Sequence, residues 1–220
     1  MKTNQEYKNA ALKTLHGNWT NVIIASLALV LMSELANALP YFTLKINVIA
    51  YLVGSWIMVA FLLLCMVPLT VGYANAHNAL YLGARNSVSD NMFTGAFRGY
   101  FRNLGGMLLM SLIVSLFSLL LYIPGIMRSY SYFLVPYLLK DKPELSVPEV
   151  LALSKKMMYG YRMRLFKLQL SFLGWIFLSV LTLGIGMIWL MPYMMTTMAA
   201  FYQDVKNEYE TKEALQESAL

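Results

Sequence analysis

The hydrophobic and polar positions of this chain form long apolar runs separated by short stretches with helical spacing. A bilayer core of about 30 Å requires about 20 helical residues, and apolar runs of that order recur along the sequence. We predict spans at Asn21–Leu39, Ile46–Tyr81, Leu104–Ile123, Phe166–Leu183 and Ile188–Tyr202. The second run is too long for one straight span, and it is expected to bend or break near Pro68.

A shorter run, Met127–Leu139, decides the number of spans. It would form only about 20 Å of helix, which is feasible where the bilayer thins or the flanking side chains snorkel. With this run counted as a sixth span and the N-terminus inside, all lysines and arginines except Lys45 and Arg128 are cytoplasmic. Because cytoplasmic loops are enriched in basic residues, the sequence favours six spans with both termini in the cytoplasm.

The segments between the spans repeat three times. Each begins with a signal close to a capping box, namely Thr3-x-x-Glu6, Ser87-x-x-Asp90 and Ser146-x-x-Glu149. Each ends near a glycine: Gly17, Gly99 and Gly160. Between signal and glycine, or just beyond it, apolar residues keep helical spacing: Tyr7, Ala11, Leu15, Trp19; Phe93, Phe97, Tyr100, Leu104; Val150, Leu153, Met157, Tyr161. We predict three amphipathic helices that lie on the cytoplasmic leaflet.

The predicted fold class is therefore all-α, a polytopic membrane protein with about six transmembrane helices in three helix-hairpin units. Each unit is preceded by a cytoplasmic interfacial amphipathic helix. One integral-membrane domain would cover residues 1–205, with units 1–82, 87–140 and 146–204, and residues 206–220 would form a charged cytoplasmic tail.

Composition agrees with a membrane protein, since 59% of the residues are hydrophobic and only 13% are charged. In a membrane protein the net charge of +6 points to anionic lipid headgroups, and no nucleic-acid partner is expected. One alternative is a cleaved signal peptide, with "NVIIASLALVLM" as its apolar core and Ala36–Ala38 as the cleavage pattern. We favour an uncleaved first span because the preceding residues read as an amphipathic helix and not as a short basic leader.

Two stretches, "IPGIMRSYSYFLVPYLLKDKPELS" and the segment from "LSKKMMYGYRMRLFKLQL" to "MPYMMTTMAAFYQDV", carry a family resemblance. They resemble a family of bacterial integral-membrane proteins catalogued as a domain of unknown function, number nine hundred seventy-five. The resemblance is most specific from Ile123 to Val205, and "LHGNW" near the N-terminus is similar too. It implies a bacterial cytoplasmic (inner) membrane location and carries over no activity or site residue.

Two charged residues fall within predicted spans. A charge at mid-bilayer costs about 3 kcal/mol on insertion scales, so Glu34 needs a partner, a proton or water. We hypothesise a Glu34–Arg128 ion pair, with Ser131 and Tyr132 on the Arg128 face completing an intramembrane polar cluster. The competing interpretation is that each charged side chain snorkels separately to the outer surface.

A second polar cluster, Asn75, His77 and Asn78, lies at the predicted cytoplasmic end of the second span. A histidine beside amides can be a proton or ligand site, but we favour a helix end emerging into water. Pro68, Pro136 and Pro192 stand in the second span of each unit and are predicted helix kinks, and hinges as an alternative.

No metal set, nucleophile motif or carboxylate dyad is apparent, so we expect no catalytic residues, no cofactor and no enzymatic activity. A lone Cys65 excludes an intramolecular disulfide. We predict a non-catalytic scaffold, partner subunit or membrane-homeostasis factor, with a membrane-protein partner or a homo-oligomer. The alternative is a small transporter or channel that uses the Glu34 and Arg128 region.

Overall fold

The computed structural model describes residues 2–84, 88–120 and 122–218, which are helical with short connections and contain no strand. The α-helices of these ranges are α1 Asn4–Leu15, α2 Trp19–Leu44, α3 Val48–Phe61, α4 Val67–Tyr81, α5 Val88–Phe97, α6 Tyr100–Leu120, α7 Tyr122–Ser131, α8 Val135–Asp141, α9 Val147–Met157, α10 Arg162–Leu170, α11 Leu173–Leu181 and α12 Met187–Glu217. A π-helical turn, Leu62–Met66, joins α3 to α4.

Four helical stretches are long and apolar enough to cross a membrane: Trp19–Leu44, Val48–Tyr81, Tyr100–Leu119 and Arg162–Leu181. They overlap the predicted spans that begin at Asn21, Ile46, Leu104 and Phe166. The described residues thus contain helices with the length and hydropathy of membrane spans.

The predicted caps of the three short helices are present where the structure describes them. The Glu6 carboxylate accepts a hydrogen bond from the Thr3 backbone N–H, and Glu149 does the same for Ser146 at 2.7 Å. The backbone and hydroxyl hydrogen bonds from Thr3 lower the pKa of Glu6, and the hydroxyl and backbone hydrogen bonds from Ser146 lower the pKa of Glu149. The middle signal begins at Ser87, which lies outside the described residues.

The glycine that follows each short helix has the left-handed backbone that ends helices. The φ angles are 84° at Gly17, 74° at Gly99 and 84° at Gly160. A residue with a Cβ atom is disfavoured in this region, which explains why glycine recurs at the same place in each copy.

The short helices pack on different neighbours. The α1 helix contacts α12 and α4, and it buries Tyr7, Ala11 and Leu15 there. The α9 helix contacts α6, α8 and α12 through a stripe that includes Val150 and Met157. Both apolar stripes therefore meet protein.

The α5 helix is different, because it runs along α4 yet leaves its aromatic stripe exposed. The rings of Phe93 and Phe97 stack with centroids 6.5 Å apart, and Phe97 stacks on Tyr100 at 6.2 Å. The aromatic stripe of α5 is therefore left open, whereas the stripes of α1 and α9 are not.

The predicted bend or break near Pro68 falls just after a π-helical turn, through which the helical stretch Val48–Tyr81 continues. Proline lacks an N–H group, so Pro68 leaves the carbonyl of Leu64, four residues earlier, without its helical donor. The π-helical turn lies at this point, and the Tyr100 hydroxyl donates to the Leu64 carbonyl at 2.7 Å. A side chain of α6 thus satisfies the carbonyl group freed by the proline.

The predicted kink at Pro136 is a complete break. Residues 132–134 form a turn, and α8 begins with Pro136 in its first helical turn. The Arg102 guanidinium donates to the backbone carbonyls of Leu139, Lys142 and Leu145 and so caps the C-terminal end of α8. The α12 helix, in contrast, continues through Pro192 to Glu217.

The predicted tail is helical over residues 206–217, which continue α12. Lys212 pairs with Glu208 at 3.0 Å, and Glu208 accepts a hydrogen bond from the Tyr161 hydroxyl just after α9. Lys206 pairs with Asp141 at 2.7 Å. These contacts hold the end of α12 against α8 and the α9 region.

Candidate functional site: the buried polar face of α4

The Asn75, His77 and Asn78 side chains of α4 are buried, with relative exposures of 0%, 0% and 4%. The interpretation of this cluster as a helix end emerging into water is therefore wrong. The physical reason is that α4 packs against α5, α8 and α12, which exclude water from the sides of the helix.

Asn75 joins α4 to α8. Its Nδ2 group donates to the carbonyl of Val71 at 2.9 Å and to the carbonyl of Pro136 at 2.8 Å. Its Oδ1 atom is buried without a hydrogen-bond partner among the described residues. A buried polar atom without a hydrogen-bond partner lowers the stability of the folded state, so this placement of Asn75 is partly unfavourable.

His77 joins α4 to α12, and its tautomer follows from the geometry. The Thr196 hydroxyl donates to the Pro192 carbonyl at 2.8 Å, and its oxygen lies 2.8 Å from His77 Nδ1. Because the hydroxyl proton is already used, Nδ1 of His77 must be the donor. The Nε2 atom of a neutral ring is then an acceptor, and it has no donor among the described residues.

Further contacts extend the polar face along α4. The Gln203 side chain of α12 donates to Asn78 Oδ1 at 2.7 Å. The Tyr73 ring meets His77 edge to face at 4.6 Å, and its hydroxyl lies 2.6 Å from Ser26 of α2. The polar side chains of α4 point to several sides of the helix and thus tie it to α2, α8 and α12, which belong to all three predicted units.

A cavity of about 480 Å³ is lined on its α4 side by Thr70 and Ala74, and not by the polar residues Asn75, His77 and Asn78. Four methionines from α6 and α12 line it, namely Met107, Met110, Met195 and Met198, together with Thr70 of α4, Ser129 of α7, Pro136 of α8 and Tyr132 of the turn between α7 and α8. Methionine side chains are flexible and polarizable, so this wall can adapt to what occupies it.

The hypothesised ion pair between Glu34 and Arg128 does not form. Among the described residues the ion pairs are Lys156–Glu213, Lys206–Asp141 and Lys212–Glu208. Glu34 is exposed on α2, while the Arg128 guanidinium lies 4.3 Å from the centroid of the Phe117 ring. The contacts of α2 are with α3, α4, α5 and α12, whereas α7 packs on α6 and α10, so the two charges are held on separate parts of the fold.

Ser131 and Tyr132 do not cluster with Arg128 either. Ser131 is buried and donates to the carbonyl of Met127 in its own helix. Tyr132 is buried in the wall of the 480 Å³ cavity. Spacing along one helix placed these residues correctly on α7 and its exit, but the break at residues 132–134 turns Tyr132 into the core.

Thr196, Gln203, Arg102 and Lys8 were not singled out in the sequence. Thr196 and Gln203 stand seven residues apart on an apolar stretch of α12, which places them on one helical face and was the available signal. The sequence around Lys8 offers no such signal, because its contact is with a helix break that is distant in the chain. Its ammonium group donates to the Ser171 carbonyl at 2.7 Å, between α10 and α11, and burial lowers its pKa.

These features define the class, over the described residues, as a helical protein with four stretches long and apolar enough to cross a membrane and with a polar, buried helix junction. A family model described as "Protein of unknown function (DUF975)" matches residues 100–209. The match covers half of the chain, and the protein belongs to this family. No curated protein and no solved structure matches the chain.

Proposed function

We propose that this protein is a non-catalytic, six-span protein of the bacterial cytoplasmic membrane that works as a scaffold or partner subunit. Both termini would be cytoplasmic, and the three units would form three hairpins. Packing of α2 on α3, of α6 on α7 and α8, and of α11 on α12 supports the hairpins.

The observation that supports a structural role is that the polar side chains of α4 form hydrogen bonds with other helices. The described hydrogen bonds of Asn75, His77 and Asn78 are formed with α4 itself, α8 and α12. Interhelical hydrogen bonds of this kind fix how membrane helices pack. A rigid junction between units suits a protein that presents a surface to another membrane protein.

Glu34 is the residue through which a partner would be recognised, because it is an exposed carboxylate on an apolar helix. An intramembrane charge calls for a partner, and this chain does not supply one to Glu34 among its described residues. A basic or hydroxyl-bearing side chain of another membrane protein would fill that role.

The test is affinity purification from native membranes in mild detergent, comparing the wild type with Glu34→Gln. We expect a membrane protein at constant stoichiometry with the wild type and reduced recovery with the variant. Ser33→Ala is the matched control, since the Ser33 hydroxyl donates within its own helix at 2.8 Å and its loss leaves no partner unpaired.

The alternative of a small transporter or channel predicts a different result. Proteoliposomes would then show solute flux that Glu34→Gln reduces, while no partner is recovered in stoichiometric amount. That pair of results would overturn the scaffold proposal.

A further inference from the structure

Two buried tyrosines, Tyr132 and Tyr137, line the 480 Å³ cavity, and they are 7% and 2% exposed. Neither hydroxyl group forms a hydrogen bond among the described residues. A buried hydroxyl group without a partner lowers the stability of the folded state. The buried end of the cavity therefore calls for an occupant that accepts hydrogen bonds.

The cavity lies where the return helix of the second unit is broken. The turn at residues 132–134 separates α7 from α8, and Phe133 and Pro136 of this region also line the cavity. Non-helical backbone at membrane depth is tolerated where it is buried in protein or lines a cavity. The other walls come from α4, α6 and α12, so all three predicted units contribute to the cavity.

The mouth of the cavity opens between helices that are expected to lie in the bilayer. The exposed residues of its lining are Thr70 of α4, Ser111 and Ser115 of α6, and Ser129 of α7. The α4 and α6 helices belong to stretches that are long and apolar enough to cross a membrane. A molecule dissolved in the lipid can therefore enter from the side, without passing through water.

The lining is suited to an uncharged and largely apolar molecule. None of the described residues that line the cavity is charged, and the four methionines form a wall that can adapt in shape. The hydroxyl protons of Thr70 and Ser129 are already donated to backbone carbonyls of their own helices, each at 2.7 Å. The protons of Tyr132 and Tyr137 remain, and a carbonyl oxygen can accept both because it has two lone pairs.

We propose that this cavity binds an uncharged, membrane-soluble molecule through a carbonyl oxygen that accepts hydrogen bonds from the Tyr132 and Tyr137 hydroxyl groups. The apolar body of the molecule would lie against the methionines and extend towards the mouth. Quinones and acyl esters share this chemistry, and the probes below distinguish them. The proposal is independent of the scaffold role.

The experiment measures the melting temperature of the full chain at one fixed detergent concentration while a lipid-soluble probe is added. Decylubiquinone tests a quinone and methyl palmitate tests an acyl ester. Decylbenzene and heptadecane are the matched probes that lack a carbonyl group. Because a molecule that binds only the folded state stabilises it, we expect a saturable rise with one of the carbonyl probes and a much smaller rise with its hydrocarbon match.

Two variants separate the hydroxyl groups from the packing of the rings. Tyr132→Phe and Tyr137→Phe are each expected to raise the half-saturating concentration of the responding probe by about threefold to tenfold, the loss of one neutral hydrogen bond. Without a probe, their melting temperature should not fall, since neither hydroxyl group has a partner among the described residues. Tyr41→Phe is the matched control and should leave the response unchanged, because Tyr41 is exposed on α2.

A second pair of variants tests the route of entry. Ser111→Trp places a large ring at the mouth of the cavity and is expected to abolish the rise in melting temperature. Leu112→Trp is its matched control, because Leu112 is the next residue of α6, is 66% exposed and does not line the cavity. Equal responses of these two variants would overturn the proposal.

Equal stabilisation by the carbonyl probes and their hydrocarbon matches would also overturn the proposal and mark a plain apolar cavity. The absence of a saturable rise with either carbonyl probe would have the same consequence, as would a response that both phenylalanine variants keep in full. A fall in the probe-free melting temperature of both phenylalanine variants would show that the hydroxyl groups are bonded within the fold, and the proposal would be wrong.

Discussion

The α3 and α4 helices belong to one nearly continuous helical stretch, yet α4 is largely buried and α3 is largely exposed. Eleven residues of α4 are buried, including Gly72, whereas in α3 only Gly54 is. The contacts of α3 are with α2 and the π-helical turn, while α4 also meets α5, α6, α8 and α12. The π-helical turn before Pro68 separates the two parts.

Hydrophobicity does not explain this difference, because α3 is the more apolar of the two helices. Lipid tails are as apolar as leucine, so exposing the α3 side chains to a bilayer has little cost. What distinguishes α4 is the segment "GYANAHNA", whose small residues allow close approach and whose amides reach other helices. In a membrane protein, small and polar positions therefore indicate protein contact better than apolar ones do.

The largest expected effect comes from the closest helix approach. A Cβ atom at Gly72 would lie 2.0 Å from the Met92 carbonyl oxygen and 2.8 Å from the Ala96 nitrogen, both of which are backbone atoms. We expect Gly72→Ala to lower the free energy of unfolding by about 3 kcal/mol, measured by denaturant titration in micelles.

The matched change in α3 is Gly54→Ala. There the nearest atoms belong to the Thr43 side chain, with Oγ1 at 2.5 Å, and a side chain can move. We expect a loss well below that of Gly72→Ala, and equal losses would show that the two helices are packed alike.

Truncating a leucine should sharpen the same contrast. Leu69 of α4 is 1% exposed, and Leu69→Ala is expected to cost about 2 to 3 kcal/mol through the cavity it leaves. Leu52 of α3 is 52% exposed, so Leu52→Ala should change the stability by less than about 0.5 kcal/mol. Thermal unfolding of both variants in the same detergent checks this, and a large loss for Leu52→Ala would point to an undetected partner of α3.

The polar ties of α4 should be weaker than its packing. Asn78→Ala leaves the buried Gln203 amide without its acceptor and is expected to cost about 1 kcal/mol. Ser55→Ala in α3 should be near neutral, because that hydroxyl donates to the Tyr51 carbonyl in its own helix. Should Asn78→Ala prove neutral in the same unfolding assay, the polar face would not stabilise the junction.

The smallest expected effect concerns the end of α12, where a carboxyl group makes the stability of the fold depend on pH. Hydrogen bonds from Tyr161 and Lys212 lower the pKa of Glu208 from 4.5. A lowered pKa in the folded state means that this stabilisation is present above pH 4.5 and is lost as the pH falls through the lowered value. The melting-temperature difference between wild type and Glu208→Gln should therefore shrink on acidification, and a constant difference would exclude this linkage.

The local elements could be read from the sequence for simple physical reasons. The capping signals at Thr3 and Ser146 and the glycines at positions 17, 99 and 160 act within one or two helical turns, so their outcome depends on neighbours in the chain. The helix irregularity near Pro68 is equally local, because proline cannot donate the hydrogen bond. The family membership was visible chiefly in the stretch from Ile123 to Val205, which lies within the matched residues 100–209.

The tertiary structure alone decided which polar residues meet. Glu34 and Arg128 looked complementary along the chain, but the packing of α7 on α6 and α10 keeps them apart. His77 pairs with Thr196, and Lys8 caps the break at Ser171, across more than a hundred residues in each case. Such pairings follow from how whole helices pack, and composition, spacing and caps carry no direct information about that. The sequence by itself therefore determined that the chain is helical and where the local capping and helix-ending signals act. The fold determined the breaks at residues 132–134 and at Ser171 and the partners of the polar side chains.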